Sequence, residues 1–271
     1  MPELPEVETT RRGVAPFLDQ ARLRGAVVRE DRLRWPVPPG LDALLNGQTV
    51  RAVRRRAKYL LVELDSGSLI IHLGMSGSLR LVPAGSPAEK HDHVDLLLTD
   101  RILRYRDPRR FGAILWHVGP LEFHPLLKDL GPEPLGEAFN GAALHAAIAR
   151  RSSPIKTVIM DNHVVVGVGN IYANESLFNA GIHPTRPANS LRPGECDKLA
   201  EEIRRVLLRA IEAGGSTLRD FVSAEGKSGY FQQSYMVYDR QDQPCRACGT
   251  PIRQMRLGQR SSYYCPLCQP C

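Results

Sequence analysis

The sequence predicts an α+β protein in three parts. Short apolar–polar alternating runs recur between residues 26 and 118, the density of strands expected of a sandwich or barrel. Helical spacing replaces them beyond a Gly/Pro linker at Leu130–Gly136. Five of the six cysteines crowd into Cys245–Cys271, four of them as two CxxC pairs with Cys271 left over, the mark of a metal-bound hairpin.

Composition bounds the rest. A chain of 271 residues suits two domains, or one large domain with an appendage, and 42% apolar content supplies real cores. The net charge of +7 and pI of about 9.3 point toward a polyanionic partner, although many enzymes are modestly basic. No apolar run is long enough to cross a membrane, and the N-terminus lacks the apolar centre of a signal peptide. The expected location is cytoplasmic. The cysteines are clustered rather than spread like a disulfide framework, which favours metal in a reducing compartment.

Taken in order, residues 5–19 read as an amphipathic helix with Val7, Val14, Phe17 and Leu18 on its apolar side. Strands are expected at Ala26–Val28, Thr49–Val53, Tyr59–Leu64, Ser68–Leu73, Ser78–Val82, Val94–Leu98, Ile102–Tyr105 and Ala113–Val118, with a hairpin signal at Asp65-Ser66-Gly67. The first domain therefore spans 1–130. Helices are expected over 139–150, Ile155–Met160, Ile171–Phe178 and Gly194–Ala213, the last ended by Gly214-Gly215. Residues 216–235, punctuated by Gly and Ser, read as a loop, and Ile252–Arg256 with Ser261–Tyr264 read as a hairpin.

The strongest local motif is Cys245-x-x-Cys248 with Cys265-x-x-Cys268, a spacing that suits tetrahedral zinc; a redox pair is the alternative. Four thiolates leave no open position, so the zinc would be structural. Cys196 reads as an ordinary helix residue. The hairpin carries Arg253, Arg256 and Arg260, which suits either nucleic acid or a solvated basic surface. Val166–Ile171 opens a helix with glycines whose amides can hold a phosphate, and together with the preceding helix makes a helix–turns–helix unit. Lys156, at the start of that unit, is a candidate phosphate contact beside the plainer reading of a solvated lysine. Two loops, His72–Gly77 and Asp107–Gly112, carry Met75 and Phe111 beside arginines, either as wedges that fill a DNA stack or as core.

Met1–Glu6 also has two readings. Pro2 and Pro5 delimit a helix start. Alternatively, removal of Met1 exposes Pro2 as a secondary amine of pKa about 7.7–8, able to attack an electrophilic carbon. The resulting iminium has no N–H to lose and stays cationic. Glu3 then stands beside it as an acid or base.

Taken together, these motifs resemble those of bacterial formamidopyrimidine-DNA glycosylases, the bifunctional 8-oxoguanine repair enzymes. The resemblance runs the length of the chain: Pro2–Glu8, Arg56–Leu60, His72–Gly77, Lys90–His93, Asp107–Gly112, Gly167–Ala173 and the cysteine tail. It implies an N-terminal β-sandwich with its helix over 1–130 and a helix–two-turns–helix domain over 131–235. Within the latter, a lesion-capping loop is expected at about 216–235. A zinc finger over 236–271 completes the chain, with one structural Zn²⁺ on Cys245, Cys248, Cys265 and Cys268 and DNA in the cleft. It further implies removal of 8-oxoguanine and formamidopyrimidines from duplex DNA through a Pro2 Schiff base, then β,δ-elimination at the abasic site. Pro2 resembles the nucleophile, Glu3 the general acid, Lys58 the proton donor for β-elimination, and Arg260 the phosphate-gripping arginine tied to δ-elimination. Met75, Arg109 and Phe111 resemble the trio that fills the void left by the flipped base. His91, Arg151 and Asn170 match phosphate-contacting positions, and His72 and Lys156 are counted with the DNA-binding residues. A cytoplasmic, nucleoid-associated monomer with no membrane partner is expected.

Two rivals stand. An endonuclease VIII-like glycosylase for oxidised pyrimidines shares the superfamily, but Leu4 and the split of void fillers between two loops favour the purine enzyme. A non-catalytic zinc-finger DNA-binding protein would have no use for Pro2, Glu3 and Lys58 together.

Overall fold

Helix α1 (Leu4–Leu18) begins where the Glu6 carboxylate turns back to accept the Glu3 amide at 2.8 Å, the returning half of a capping box. Pro5 sits in its first turn, where a missing N–H costs nothing. Val7, Val14 and Leu18 are buried, whereas Phe17, expected beside them, is exposed under the Arg101 guanidinium at 4.6 Å. One residue before Leu18, it stands about 100° around the helix from that face. The computed structural model describes residues 2–215 and 234–271. These fall into two compact units, one of residues 2–128 with 213–215 and one of 129–212 with 234–271.

The first unit is a β-sandwich. After α1 come β1 (Gly25–Val28), a short helix α2 (Leu41–Leu45) that apolar periodicity does not predict, β2 (Val50–Arg56), β3 (Tyr59–Leu64), β4 (Ser68–His72), β5 (Ser78–Pro83), β6 (Asp92–Leu97), β7 (Arg101–Arg106) and β8 (Ala113–His117). They form two antiparallel sheets ordered β1-β6-β7-β5 and β2-β3-β4-β8. Alternation turns Leu60, Val62, Leu69 and Ile71 of one sheet toward Val94, Leu96, Leu103 and Tyr105 of the other, and α1 and α2 close the core with Val14, Leu18, Leu41 and Leu45.

This topology places two loops side by side. The chain leaves β4 at His72 and crosses to β5; it leaves β7 at Arg106 and crosses back to β8. His72 pairs with Ala113 and Ser78 with Arg106, so the two crossings start and finish at neighbouring strand ends, β4 beside β8 and β5 beside β7.

The second unit contains α3 (Gly141–Ile148), α4 (Ile155–Ile159), α5 (Asn170–Ala180), α6 (Pro193–Glu212) and a hairpin of β9 (Arg253–Leu257) and β10 (Arg260–Tyr264). Leu199, Ile203, Val206, Leu207 and Ile211 form the buried stripe of α6, and Cys196 is buried on it, its thiol pushed up to about 11 by burial. Helix α5 ends on Gly181 at φ 73°, the left-handed cap a glycine adopts without strain. It lies between α6 and β10 and is buried almost all round, although it carries Asn174, Glu175 and Ser176. No helix of the described residues is long and apolar enough to cross a membrane.

Candidate functional site

The expected site residues divide between the two units. In the first, Pro2 and Glu3 are both buried, and the Glu6 cap fixes the backbone at Glu3, one residue from the Pro2 nitrogen. Lys58 sits half-buried at the tip of the β2–β3 hairpin, where Ala57 takes a left-handed φ of 53°. His72, on β4, packs its ring 5.1 Å from Tyr59 and accepts the Gly74 amide on Nδ1 at 3.0 Å, which leaves the proton on Nε2. Burial, together with the positive charges of Lys58 and Arg34, lowers its pKa to about 4. His72 is therefore a neutral donor near pH 7. His91 is half-buried at a left-handed φ of 75°.

Both wedge candidates are exposed, Met75 at 38% and Phe111 at 45%, which excludes the core reading. The Arg109 guanidinium stacks 4.7 Å above the Phe111 ring. Between them Arg110 turns away at φ 56° to pair with Glu30 at 3.0 Å. Gly74 and Gly112 permit the two loops to touch: a Cβ on Gly74 would strike the Phe111 backbone, and one on Gly112 the Tyr105 hydroxyl and His72 carbonyl.

In the second unit the structure corrects the reading of Lys156. It is neither solvated nor turned to a phosphate; it is 1% exposed. Its ammonium donates to Asn170 Oδ1 at 2.7 Å, the Ser261 carbonyl at 2.8 Å and Ser262 Oγ at 2.6 Å. An ammonium has three donors, and these acceptors are drawn from the start of α5 and from β10. Lys156 thus ties α4 to the first turn of α5 and to β10. Because an ammonium only donates, Asn170 must turn its oxygen inward and its NH₂ away, a donor at a helix N-terminus. Lys156→Met, which keeps bulk and removes the donors, leaves three acceptors unmatched. It should destabilise this unit by about 3 kcal/mol and weaken DNA binding about tenfold. Urea unfolding and a binding titration check both; native stability would show that the ammonium is no tie.

Arg151 remains half-exposed, oriented by Asp161 at 2.6 Å. Burial opposes the charge on Asp161, but hydrogen bonds from the His163 amide and Arg151 outweigh it and hold its pKa low. Arg260 is the first residue of β10, paired with Leu257 across the Gly258-Gln259 turn, and is exposed, as are Arg253 and Arg256. The hairpin itself is held by α5. Asn174 Oδ1 accepts the Tyr263 amide at 2.7 Å, and the buried Glu175 carboxylate accepts the amides of Met236, Val237 and Tyr238 at 2.8–3.0 Å. Burial still raises the Glu175 pKa against those three donors. Sequence reasoning missed these two residues, and the one available signal was a polar pair inside a helix with no solvent face. The expected lesion-capping stretch, apart from Ser234 and Tyr235, lies outside the described residues, as does Met1.

The four cysteines converge. Cys245 and Cys268 bring their sulfurs to 3.9 Å, Cys248 and Cys265 to 3.4 Å, and all four lie within 4.8 Å of one another. A tetrahedral zinc with Zn–S of about 2.3 Å sets its sulfurs about 3.8 Å apart, so the cluster fits. The Ala247 and Cys268 amides each approach a knuckle sulfur at 3.4 Å, an arrangement that favours thiolate. The cluster is a structural site for one zinc.

Comparison with known proteins gives the same outline. Residues 1–114 match the formamidopyrimidine-DNA glycosylase N-terminal domain, 130–222 the formamidopyrimidine-DNA glycosylase H2TH domain, and 242–270 the zinc finger found in FPG and IleRS. The chain is 60% identical over 270 residues to the formamidopyrimidine-DNA glycosylase of Stutzerimonas stutzeri, covering 99% of this chain and 100% of that one. The crystal structure of the MutM (Fpg) protein of Thermus thermophilus matches with a TM-score of 0.89 at 40% identity, covering 99% and 98% of the two chains. A Lactococcus lactis FPG mutant in complex with Fapy-dG containing DNA matches with a TM-score of 0.91 at 34% identity over 100% of both chains. With near-full-length identity of this size and three family domains in sequence, the chain belongs to the formamidopyrimidine-DNA glycosylase family.

Proposed function

We propose that this protein excises oxidised purines, 8-oxoguanine and formamidopyrimidines, from duplex DNA and then cleaves the strand at the abasic site. The observation that carries this reading is the buried Pro2-Glu3 start, held by the Glu6 cap, in a chain 60% identical to a formamidopyrimidine-DNA glycosylase. Freed of Met1, the Pro2 nitrogen attacks C1′ of the damaged nucleotide, and the base leaves as its glycosidic bond breaks. Glu3 protonates the opening sugar ring and later shuttles protons. The cationic iminium acidifies the C2′ protons, so strand scission follows at the same centre. Lys58 donates a proton during β-elimination, and Arg260 grips the flanking phosphate for δ-elimination.

Binding is divided by chemistry. The neutral His72, with His91, Arg151 and Asn170, donates to phosphates, and Lys156 acts through Asn170 and the hairpin. Met75, Arg109 and Phe111 refill the stack, offsetting a few kcal/mol of unstacking. The zinc orders the hairpin that carries Arg260 and takes no part in bond breaking. The protein acts as a cytoplasmic, nucleoid-associated monomer.

Cleavage of an 8-oxoguanine:cytosine duplex beside a thymine-glycol duplex tests the reading. The purine lesion should be cut at least tenfold faster, a margin of about 1.4 kcal/mol in the barrier. The reverse order would make this an endonuclease VIII-like pyrimidine enzyme, and failure to trap DNA with borohydride would leave a binding protein without catalysis.

A further inference from the structure

Asp107 is fully buried and accepts four hydrogen bonds. Oδ1 takes the Ser76 hydroxyl at 2.6 Å and the Arg109 amide at 3.3 Å; Oδ2 takes the Tyr105 hydroxyl at 3.1 Å and the Gly112 amide at 2.9 Å. Its own backbone is pinned as well, the amide donating to the His91 carbonyl at 3.1 Å and the carbonyl meeting His93 Nε2 at 2.8 Å. A carboxylate offers about four acceptor sites, and burying one is tolerable only when donors fill them. Its partners are hydroxyls and amides from both crossing loops and from the end of β7. Ser76 adjoins Met75, while the amides of residues 109 and 112 bracket the Arg109–Phe111 stack.

We propose that Asp107 is the positioning residue of the void-filling trio: it clamps the two loops so that Met75, Arg109 and Phe111 enter DNA as one rigid element. The proposal rests on the void-filling reading of those three side chains. The physical argument is entropic. Two independent exposed loops would each have to be ordered at the moment the base leaves the stack, whereas clamped loops are ordered beforehand. The burial of Asp107 and the left-handed φ of the non-glycine Arg110 show a backbone held in shape by its surroundings.

The test compares two substrates: a duplex with an 8-oxoguanine:cytosine pair, where a base must be extruded, and one with a pre-formed abasic site, where none must. Asp107→Asn turns an NH₂ toward two of the four donors. It should lower base excision by about 10- to 100-fold, the scale of one or two lost charged hydrogen bonds, and abasic-site cleavage by less than about threefold. Combined with Phe111→Ala, it should add nothing beyond about twofold, because both changes act through one element. Equal losses on both substrates, or multiplying losses in the double variant, overturn the clamp while a selective Phe111→Ala leaves the wedge reading standing. A Phe111→Ala that is not selective overturns the wedge reading itself. Should Asp107→Asn fail to fold, Ser76→Ala decides: it removes the hydroxyl that donates to Asp107 and accepts the Arg109 amide, the two side-chain threads to the Met75 loop. It should cost about three- to tenfold on base excision alone, and wild-type behaviour overturns the clamp.

Discussion

An N-terminal extension that cannot be removed abolishes base excision, strand nicking and borohydride trapping together, while affinity for lesion DNA stays within a few-fold of normal. A residue ahead of Pro2 converts its nitrogen into an amide, whose lone pair is delocalised into the carbonyl and cannot attack C1′. Bulk is also added where the sugar must come within about 3–3.5 Å of that nitrogen. Because Pro2 and Glu3 are buried and the helix cap fixes Glu3, the backbone has little freedom to offer another nucleophile there. The loss should be at least about 10⁴-fold in turnover, the scale on which removal of a nucleophile is felt. Affinity survives because the proposed phosphate donors His72, His91, Arg151 and Asn170 lie elsewhere in the chain. Pro2→Gly is the softer control, since a primary amine remains in altered geometry. Lys58 is the rival amine, and peptide mapping of the trapped adduct separates them. DNA attached at Lys58, or full trapping by the extended protein, would refute the assignment.

Loss of zinc should have the next largest effect. The apolar cluster beneath the hairpin consists of Phe178, Val237, Ile252 and Tyr263 with Cys245 and Cys265, too little to order it without a cross-link. Zinc bound by cysteine clusters contributes apparent free energies of about 10–16 kcal/mol. Cys248→Ser should lower affinity for lesion DNA by about 100-fold, because Arg253, Arg256 and Arg260 are carried on strands the metal anchors. The sandwich keeps its own core in the other unit, so its thermal transition should persist. Metal analysis showing no zinc in a fully active preparation would sink the idea.

The sandwich was legible because alternation over Tyr59–Leu64 and Ser68–Leu73 records which side chains face the core, and the zinc site because four thiolates at fixed spacing have few other uses. What escaped was polar and buried. Lys156 looks like any surface lysine until Ser261 and Ser262, far along the chain, are brought against it. Asn174 and Glu175 interrupt the helical pattern of α5 and meet backbone amides well over fifty residues away. Asp107 lay inside a recognised loop, yet its four donors come from both crossings and from β7, and adjacency of those loops is a property of sheet order. Hydrophobic periodicity reports apolar faces; it is silent about polar groups satisfied by distant partners.

The inward-facing ammonium of Lys156 divides the cations of this protein into two populations with different responses to ionic strength. Lys156 is shielded from solvent, and mobile ions, whose screening length is about 8 Å at physiological salt, reach it poorly. In the proposed DNA complex the exposed Arg253, Arg256 and Arg260 would exchange counterions with DNA and lose their grip steeply as salt rises. A salt pulse therefore strips nucleic acid from the protein while the tie between α4, α5 and the hairpin stays closed. The released molecule is already arranged for its next encounter.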